Sequence, residues 1–139
     1  VRTVFVDTAA WIALVNVDDD FHRIAKQVRV RLEQDNYRLV TSYFVLLEVA
    51  DALTSVRFRP QTINLLNRLK GLAGLRVIEV SQALFDAGWQ LYCQRLDKDW
   101  GLTDCISFVI MEREGITTAF TSDQHFEQAG FIRLLKPRG

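Results

Sequence analysis

The sequence predicts an α/β three-layer sandwich, a central parallel sheet of about five strands with helices on both faces, formed by a single domain over residues 1–139. Three observations carry this. Short apolar runs rich in β-branched residues recur along the chain and read as buried strands. Stretches of helical spacing separate these runs, and parallel neighbours need crossovers of that kind. A length of 139 residues suits one core, which at this size hides roughly two-thirds of the unfolded surface.

Thr3-Val4-Phe5-Val6 is the first such run and ends abruptly at Asp7. Thr8 to about Asn16 carries Trp11, Ile12, Leu14 and Val15 at helical spacing. Asp18-Asp19-Asp20 supplies helix-start chemistry for Phe21 to Gln34, where Phe21, Ile24, Ala25, Val28 and Leu32 recur every three or four residues. Tyr37–Thr41 reads as a second strand, Ser42 as an N-cap, and Tyr43 to about Arg57 as a strongly apolar helix. Pro60 suits the first turn of a helix reaching about Lys70, with a turn between Gly71 and Gly74. Leu75–Val80 is a third strand, Ser81 a cap, and Gln82 to Leu96 a helix. A loop over Asp97 to Leu102 leads to Thr103, read as the cap of a helix that stops at Gly115. Thr117–Thr121 is a fourth strand, Gln124–Ala129 a short helix stopped by Gly130, and Phe131–Leu135 a last strand.

Composition narrows the function classes. With 49% hydrophobic and 24% charged residues, seven Gly and two Pro, the chain has no room for a long disordered tract. Lys+Arg and Asp+Glu each number 17, so no whole-molecule field draws it to nucleic acid or membrane. Any such contact rests on a local patch. The two cysteines, Cys93 and Cys105, have no metal-type spacing, and no apolar run reaches the ~20 residues of a membrane span. With no leader ahead of the first strand, a reducing cytoplasmic location is expected.

In open parallel sheets ligands bind beyond the carboxyl ends of the strands. Asp7 directly follows the first strand and Asp123 follows the fourth by two residues. Asp104 lies in the first turn of a helix whose i+4 and i+7 positions, Phe108 and Met111, are apolar. Glu48 interrupts the apolar helix Tyr43-Phe44-Val45-Leu46-Leu47. Taken singly, each acid has a structural explanation. Asp104 suits a helix start, Glu48 shares a solvent-type stripe with Asp51 and Ser55, and Asp7 and Asp123 suit caps. Together they are costly: two carboxylates at 4 Å repel by about 4 kcal/mol at an effective dielectric of 20. A hard divalent cation, Mg²⁺ or Mn²⁺, resolves that cost, and no His or Cys grouping suggests zinc.

The blocks Val4-Phe5-Val6-Asp7-Thr8 with Trp11 and Ile12, Glu48 in its apolar helix, Leu102-Thr103-Asp104-Cys105-Ile106-Ser107-Phe108, and Ala119-Phe120-Thr121-Ser122-Asp123 with Phe126 and Gly130 resemble the PIN-domain family. More narrowly they look like the VapC-type toxins of toxin–antitoxin pairs. The resemblance implies a parallel-sheet PIN fold, dependence on Mg²⁺ or Mn²⁺, endonucleolytic cleavage of RNA leaving 5′-phosphate and 3′-hydroxyl ends, homodimerisation and inhibition by a cognate antitoxin. It assigns the metal-binding acids to Asp7, Glu48, Asp104 and Asp123, with Thr8 and Thr121 at the hydroxyl positions. Cys105 stands where Ala is commoner, which changes size and not metal chemistry. The alternative is an RNA-binding or partner-binding PIN-like module without turnover.

Rival α/β readings fail on named residues. A haloacid-dehalogenase-type phosphatase wants a second Asp where Ala9 stands, a receiver domain wants an acidic pair where Asp7 has only Val6 and Thr8 beside it, and a dinucleotide site wants a GxGxxG turn. Cys105 reads as an inert buried thiol and His125 as an ordinary exposed histidine. Trp11 and Trp89 read as core, whereas Trp100, in the loop before Asp104, is a candidate for substrate stacking. Arg57 and Arg59, with Arg68, Lys70 and Arg76, form the densest basic region and are candidates for RNA phosphates; Arg133, Lys136 and Arg138 form a second.

Overall fold

In the computed structural model, which describes residues 2–137, the elements run β1 (Thr3–Val6), α1 (Thr8–Val15), α2 (His22–Gln34), β2 (Arg38–Ser42), α3 (Tyr43–Ala52), α4 (Arg59–Leu69), β3 (Leu75–Ile78), α5 (Gln82–Gln94), α6 (Leu102–Glu114), β4 (Thr118–Phe120), α7 (Gln124–Gln128) and β5 (Ile132–Arg133). The five strands form one sheet in the order β3-β2-β1-β4-β5, and every pairing is parallel. Arg138, the last cation of the second basic region, lies outside the described residues.

β1 is the centre of this arrangement. Val4, Phe5 and Val6 are all fully buried although successive side chains of a strand point to opposite faces, so both faces of the sheet are covered. Strand order also reverses here: the chain moves from β1 outward to β2 and β3, then crosses back to place β4 on β1's other side. Val6 pairs with Phe120 at the carboxyl ends of β1 and β4. That crevice is where an open α/β sheet receives ligands.

Local chemistry sets several boundaries. The Ser42 and Ser81 hydroxyls accept from the backbone N–H groups of Val45 and Leu84 and cap α3 and α5. Gly115, with φ +67°, closes α6 in a conformation that a side chain disfavours. Tertiary contacts set others. α3 stops at Ala52 and not near Arg57, because the carbonyls beyond it are taken by α4: Thr62 Oγ1 donates to Leu53 O, and the Arg59 guanidinium donates to Thr54 O. α6 begins two residues earlier than a Thr103 cap implies, with Gly101 at the N-cap and its N–H bound to the Asp104 carboxylate at 3.1 Å.

α5 packs closely on α6 at Gly88, where an added Cβ would lie 2.3 Å from Ile106 Cγ1 and 3.1 Å from its Cα. Leu84 and Gly88 form the buried face of α5. Trp89, read from the sequence as core, therefore lies on the neighbouring face, 49% exposed and stacked on Tyr92. Trp11 is buried as expected, its Nε1 donating to Thr41 Oγ1 at 3.3 Å. Phe108 meets Trp100 and Phe126 edge to face, at centroid distances of 5.0 and 4.9 Å, which fastens α6 to α7. Among the described residues no helix is long and apolar enough to cross a membrane.

Candidate metal centre

Asp7 sits at the end of β1 at the N-cap of α1, yet its side chain caps nothing. The carboxylate instead turns into the crevice, where Oδ2 accepts from the Thr121 hydroxyl at 2.8 Å in a fully buried bond. Asp7 N–H donates to Phe120 O, locking the ends of β1 and β4 together.

A continuous path of hydrogen bonds leads outward from this pair. Thr121 Oγ1 accepts from Asp123 N–H at 3.0 Å, and Asp123 Oδ1 accepts from His125 N–H at 2.8 Å. The His125 Nδ1 atom then lies 3.1 Å from Asp104 Oδ2 and 3.3 Å from Asp123 Oδ1. One ligating atom from each of Asp104, Asp123 and His125 falls within 4.8 Å of the others. Asp104 and Asp123 each keep the local role expected of them, at the N3 position of α6 and the N-cap of α7, while their carboxylates converge.

Electrostatics agree with a crowded acidic centre. Burial pushes the Asp7 carboxyl up to about 7, against hydrogen bonds from Thr121 and Thr8, and the charges of Asp104 and Asp123 raise it further. Asp104 is also raised, first by burial and then by Asp123, against hydrogen bonds from Gly101 and His125. Among the described residues, no Lys or Arg pairs with Asp7, Asp104 or Asp123; His125 is the cationic-capable neighbour of the last two. An ensemble of carboxylates without a basic partner fits a divalent cation by its donor chemistry.

Glu48, on α3, stands outside the group formed by Asp104, Asp123 and His125. Its Oε1 accepts from Thr8 Oγ1 at 2.6 Å, so the exposed glutamate is tied to the residue that follows Asp7. The sequence candidates outside the crevice are placed differently. Arg57 pairs with Asp18, and Arg59 spends its donors on Thr54. Trp100, a candidate for open stacking, is only 6% exposed: its Nε1 donates to Gln128 Oε1, Phe108 meets one side, and Arg95 covers its ring at 4.8 Å. Burial holds the Cys105 thiol up at about 11, consistent with an inert group. His125 is the member that the sequence reading passed over. Two signals pointed to it: its place two residues after Asp123, and the buried Phe126 beside it that anchors so short a helix.

Comparisons with known proteins agree with this geometry. The 23S rRNA-specific endonuclease VapC20 of Mycobacterium tuberculosis is 28% identical over 143 aligned residues, covering 94% of this chain and 97% of that protein. The crystal structure of Mycobacterium tuberculosis VapC20, described as a Sarcin-Ricin loop cleaving toxin, superposes with a TM-score of 0.83 at 27% identity over 96% of this chain and 99% of that one. The crystal structure of VapBC2 from Rickettsia felis, bound to a DNA fragment, shares the fold at a TM-score of 0.68, with 17% identity over 95% of this chain and 97% of that one. The family model of the PIN domain matches residues 4–132, nearly the whole chain, and the protein therefore belongs to the PIN domain family.

Proposed function

We propose that this protein is a divalent-metal-dependent endoribonuclease, the toxin of a toxin–antitoxin pair. The observation that carries the reading is the acidic β1–β4 crevice of a PIN-domain chain, where Asp7 is buried against Thr121 and feels the charges of Asp104 and Asp123, which themselves converge with His125; among the described residues no Lys or Arg pairs with these acids. Asp7, Asp104 and Asp123 hold Mg²⁺ or Mn²⁺, with Glu48 at the rim. Such an ion supplies Lewis-acid activation of water and neutralises charge developing on a phosphodiester.

The chain's own residues do the positioning. Thr121 donates to Asp7 Oδ2 and receives the Asp123 N–H, so one hydroxyl fixes the spacing of two acids. Thr8 orients Glu48. Gly101 N–H steadies Asp104 from the protein side. The relative that acts on 23S rRNA makes ribosomal RNA the first substrate class to try, and makes the cytoplasm the expected site of action. Contact of Arg57 and Arg59 with RNA phosphates requires them to give up Asp18 and Thr54, their present partners. A cognate antitoxin and a second copy of the chain are the expected protein partners. The exposed apolar residues Tyr43, Leu47, Ile63 and Val80, which line a cleft of about 590 Å³ between α3, α4 and β3, offer surface for such contacts.

The test is cleavage of purified ribosomal RNA by antitoxin-free protein with Mg²⁺ or Mn²⁺, in wild type and Asp7→Ala. Metal-dependent cutting with 5′-phosphate ends, lost in the variant, is the expected result. No cutting under any of these conditions, or equal cutting by the variant, leaves the non-catalytic binding module as the better account. Products ending in 2′,3′-cyclic phosphate rule out attack by water.

A further inference from the structure

We propose that His125 is a nitrogen ligand of the metal ion held by Asp104 and Asp123, and that it biases this centre toward Mn²⁺ over Mg²⁺. The inference rests on the metal-dependent reading above and adds a residue and a selectivity to it.

The geometry comes first. His125 Nδ1 lies 3.1 Å from Asp104 Oδ2 and 3.3 Å from Asp123 Oδ1. Adjacent ligands of an octahedral ion with bonds of 2.0–2.1 Å are separated by roughly 3 Å, the edge of the octahedron. The histidine nitrogen therefore stands at the spacing of a neighbouring ligand from each carboxylate, and one ligating atom of each of the three lies within 4.8 Å of the others, close enough for one ion to take all three.

Rigidity comes second. α7 holds five residues, but both ends of the histidine's surroundings are fixed. Its own N–H is bound to Asp123 Oδ1, and Phe126 is fully buried against Phe108 of α6, the helix that carries Asp104. The imidazole is held on the acids by packing that does not depend on the ion. By contrast His22, the other histidine, lies with Nδ1 2.7 Å from Ala13 O and belongs to a separate part of the surface.

Donor chemistry then sets the preference. Mg²⁺ favours an all-oxygen shell, whereas imidazole nitrogen suits first-row transition metals and strengthens Mn²⁺ relative to Mg²⁺. A histidine that only orients the carboxylates by hydrogen bonds would leave the ion's own shell all oxygen.

The experiment is pulsed electron paramagnetic resonance of Mn²⁺ bound to the intact protein, with Mn²⁺ and Mg²⁺ affinities measured alongside. Wild type is expected to show the ¹⁴N modulation of a directly coordinated imidazole. His125→Gln is expected to lose that signal and to bind Mn²⁺ about tenfold more weakly, with less than about threefold change for Mg²⁺. His22→Gln keeps both. The wild-type spectrum decides the matter without any variant having to fold, and His125→Asn repeats the affinity comparison with a different side chain. Mn²⁺ bound with no ¹⁴N modulation, or with modulation that survives in His125→Gln, overturns the inference while leaving metal-dependent cleavage of RNA standing. Wild type that binds Mg²⁺ but no Mn²⁺ overturns the inference alone, and wild type that binds neither ion overturns both.

Discussion

Two clusters of charge on this molecule are built in opposite ways. At the turn from α3 to α4, each cation has a local partner: Arg57 has Asp18, and Arg59 has the Thr54 carbonyl and hydroxyl. At the β1–β4 crevice and its rim the acids have one another, two hydroxyls, two backbone N–H groups and a histidine. The basic turn is electrostatically complete as it stands, while the crevice carries carboxylates whose protons are held too tightly. Uncompensated charge, and not charge as such, marks the place where an ion belongs.

Breaking the crevice has the largest expected effect. Asp104→Asn keeps the N3 position of α6 and the shape of the side chain but removes a ligand charge, and we expect RNA cleavage to fall by at least about 100-fold with the far-ultraviolet circular dichroism unchanged. A loss of less than about fivefold would place the chemistry elsewhere.

The metal-free protein is expected to lose stability as pH rises through the crevice's titration. Asp7 is raised from 3.8 to about 7, so the folded state binds its proton more tightly than the unfolded chain does. This contribution is neutral below about pH 4, turns against folding between pH 4 and 7, and is fully unfavourable above that. A displacement of this size corresponds to an upper bound of about 4 kcal/mol. Urea unfolding with chelator at pH 5 and pH 8 measures it. Asp7→Asn should flatten the difference and stabilise the metal-free protein at pH 8, and Mn²⁺ should raise the wild-type midpoint more at pH 8 than at pH 5.

Gly88→Ala sharpens the comparison from the scaffold's side, since α5 fixes the helix that carries Asp104. The added methyl meets Ile106 at 2.3 Å and its backbone at 3.1 Å, so unfolding free energy should drop by about 1–3 kcal/mol. Cleavage should fall only as far as α6 shifts. The basic turn gives the smallest effect: Arg57→Ala with Arg59→Ala should change stability by less than about 1 kcal/mol, because an exposed ion pair is worth little. RNA affinity should weaken by a few-fold, with a shallower salt dependence.

How much of this was legible in the sequence follows from the range of the interactions involved. Ser42 and Ser81 cap helices through atoms three residues away, and the sequence places both. Asp7 and Asp123 stand out because strands end beside them. α3's early stop was illegible, because Leu53 and Thr54 yield their carbonyls to Thr62 and Arg59 of the next helix. Trp89 and Trp100 exchanged roles for the same reason. The burial of a helix face is decided by what packs on it, and Gly88 against Ile106 turns Trp89 outward, while Phe108 and Gln128 draw Trp100 inward. His125 is half legible, since it stands two residues after Asp123 but its other partner, Asp104, lies 21 residues away in sequence.

The bond from Thr121 to Asp7 spans 114 residues. During synthesis β1 emerges well before β4, and its edge toward β4 stays unpaired until β4 has been made, so this pairing waits on the closure of a long loop, which is slow. A nascent chain that stops anywhere before Thr118 lacks β4, Thr121, Asp123 and His125 together. The crevice is thus an assembly checkpoint: its chemistry arrives late and all at once, and a truncated product has none of it.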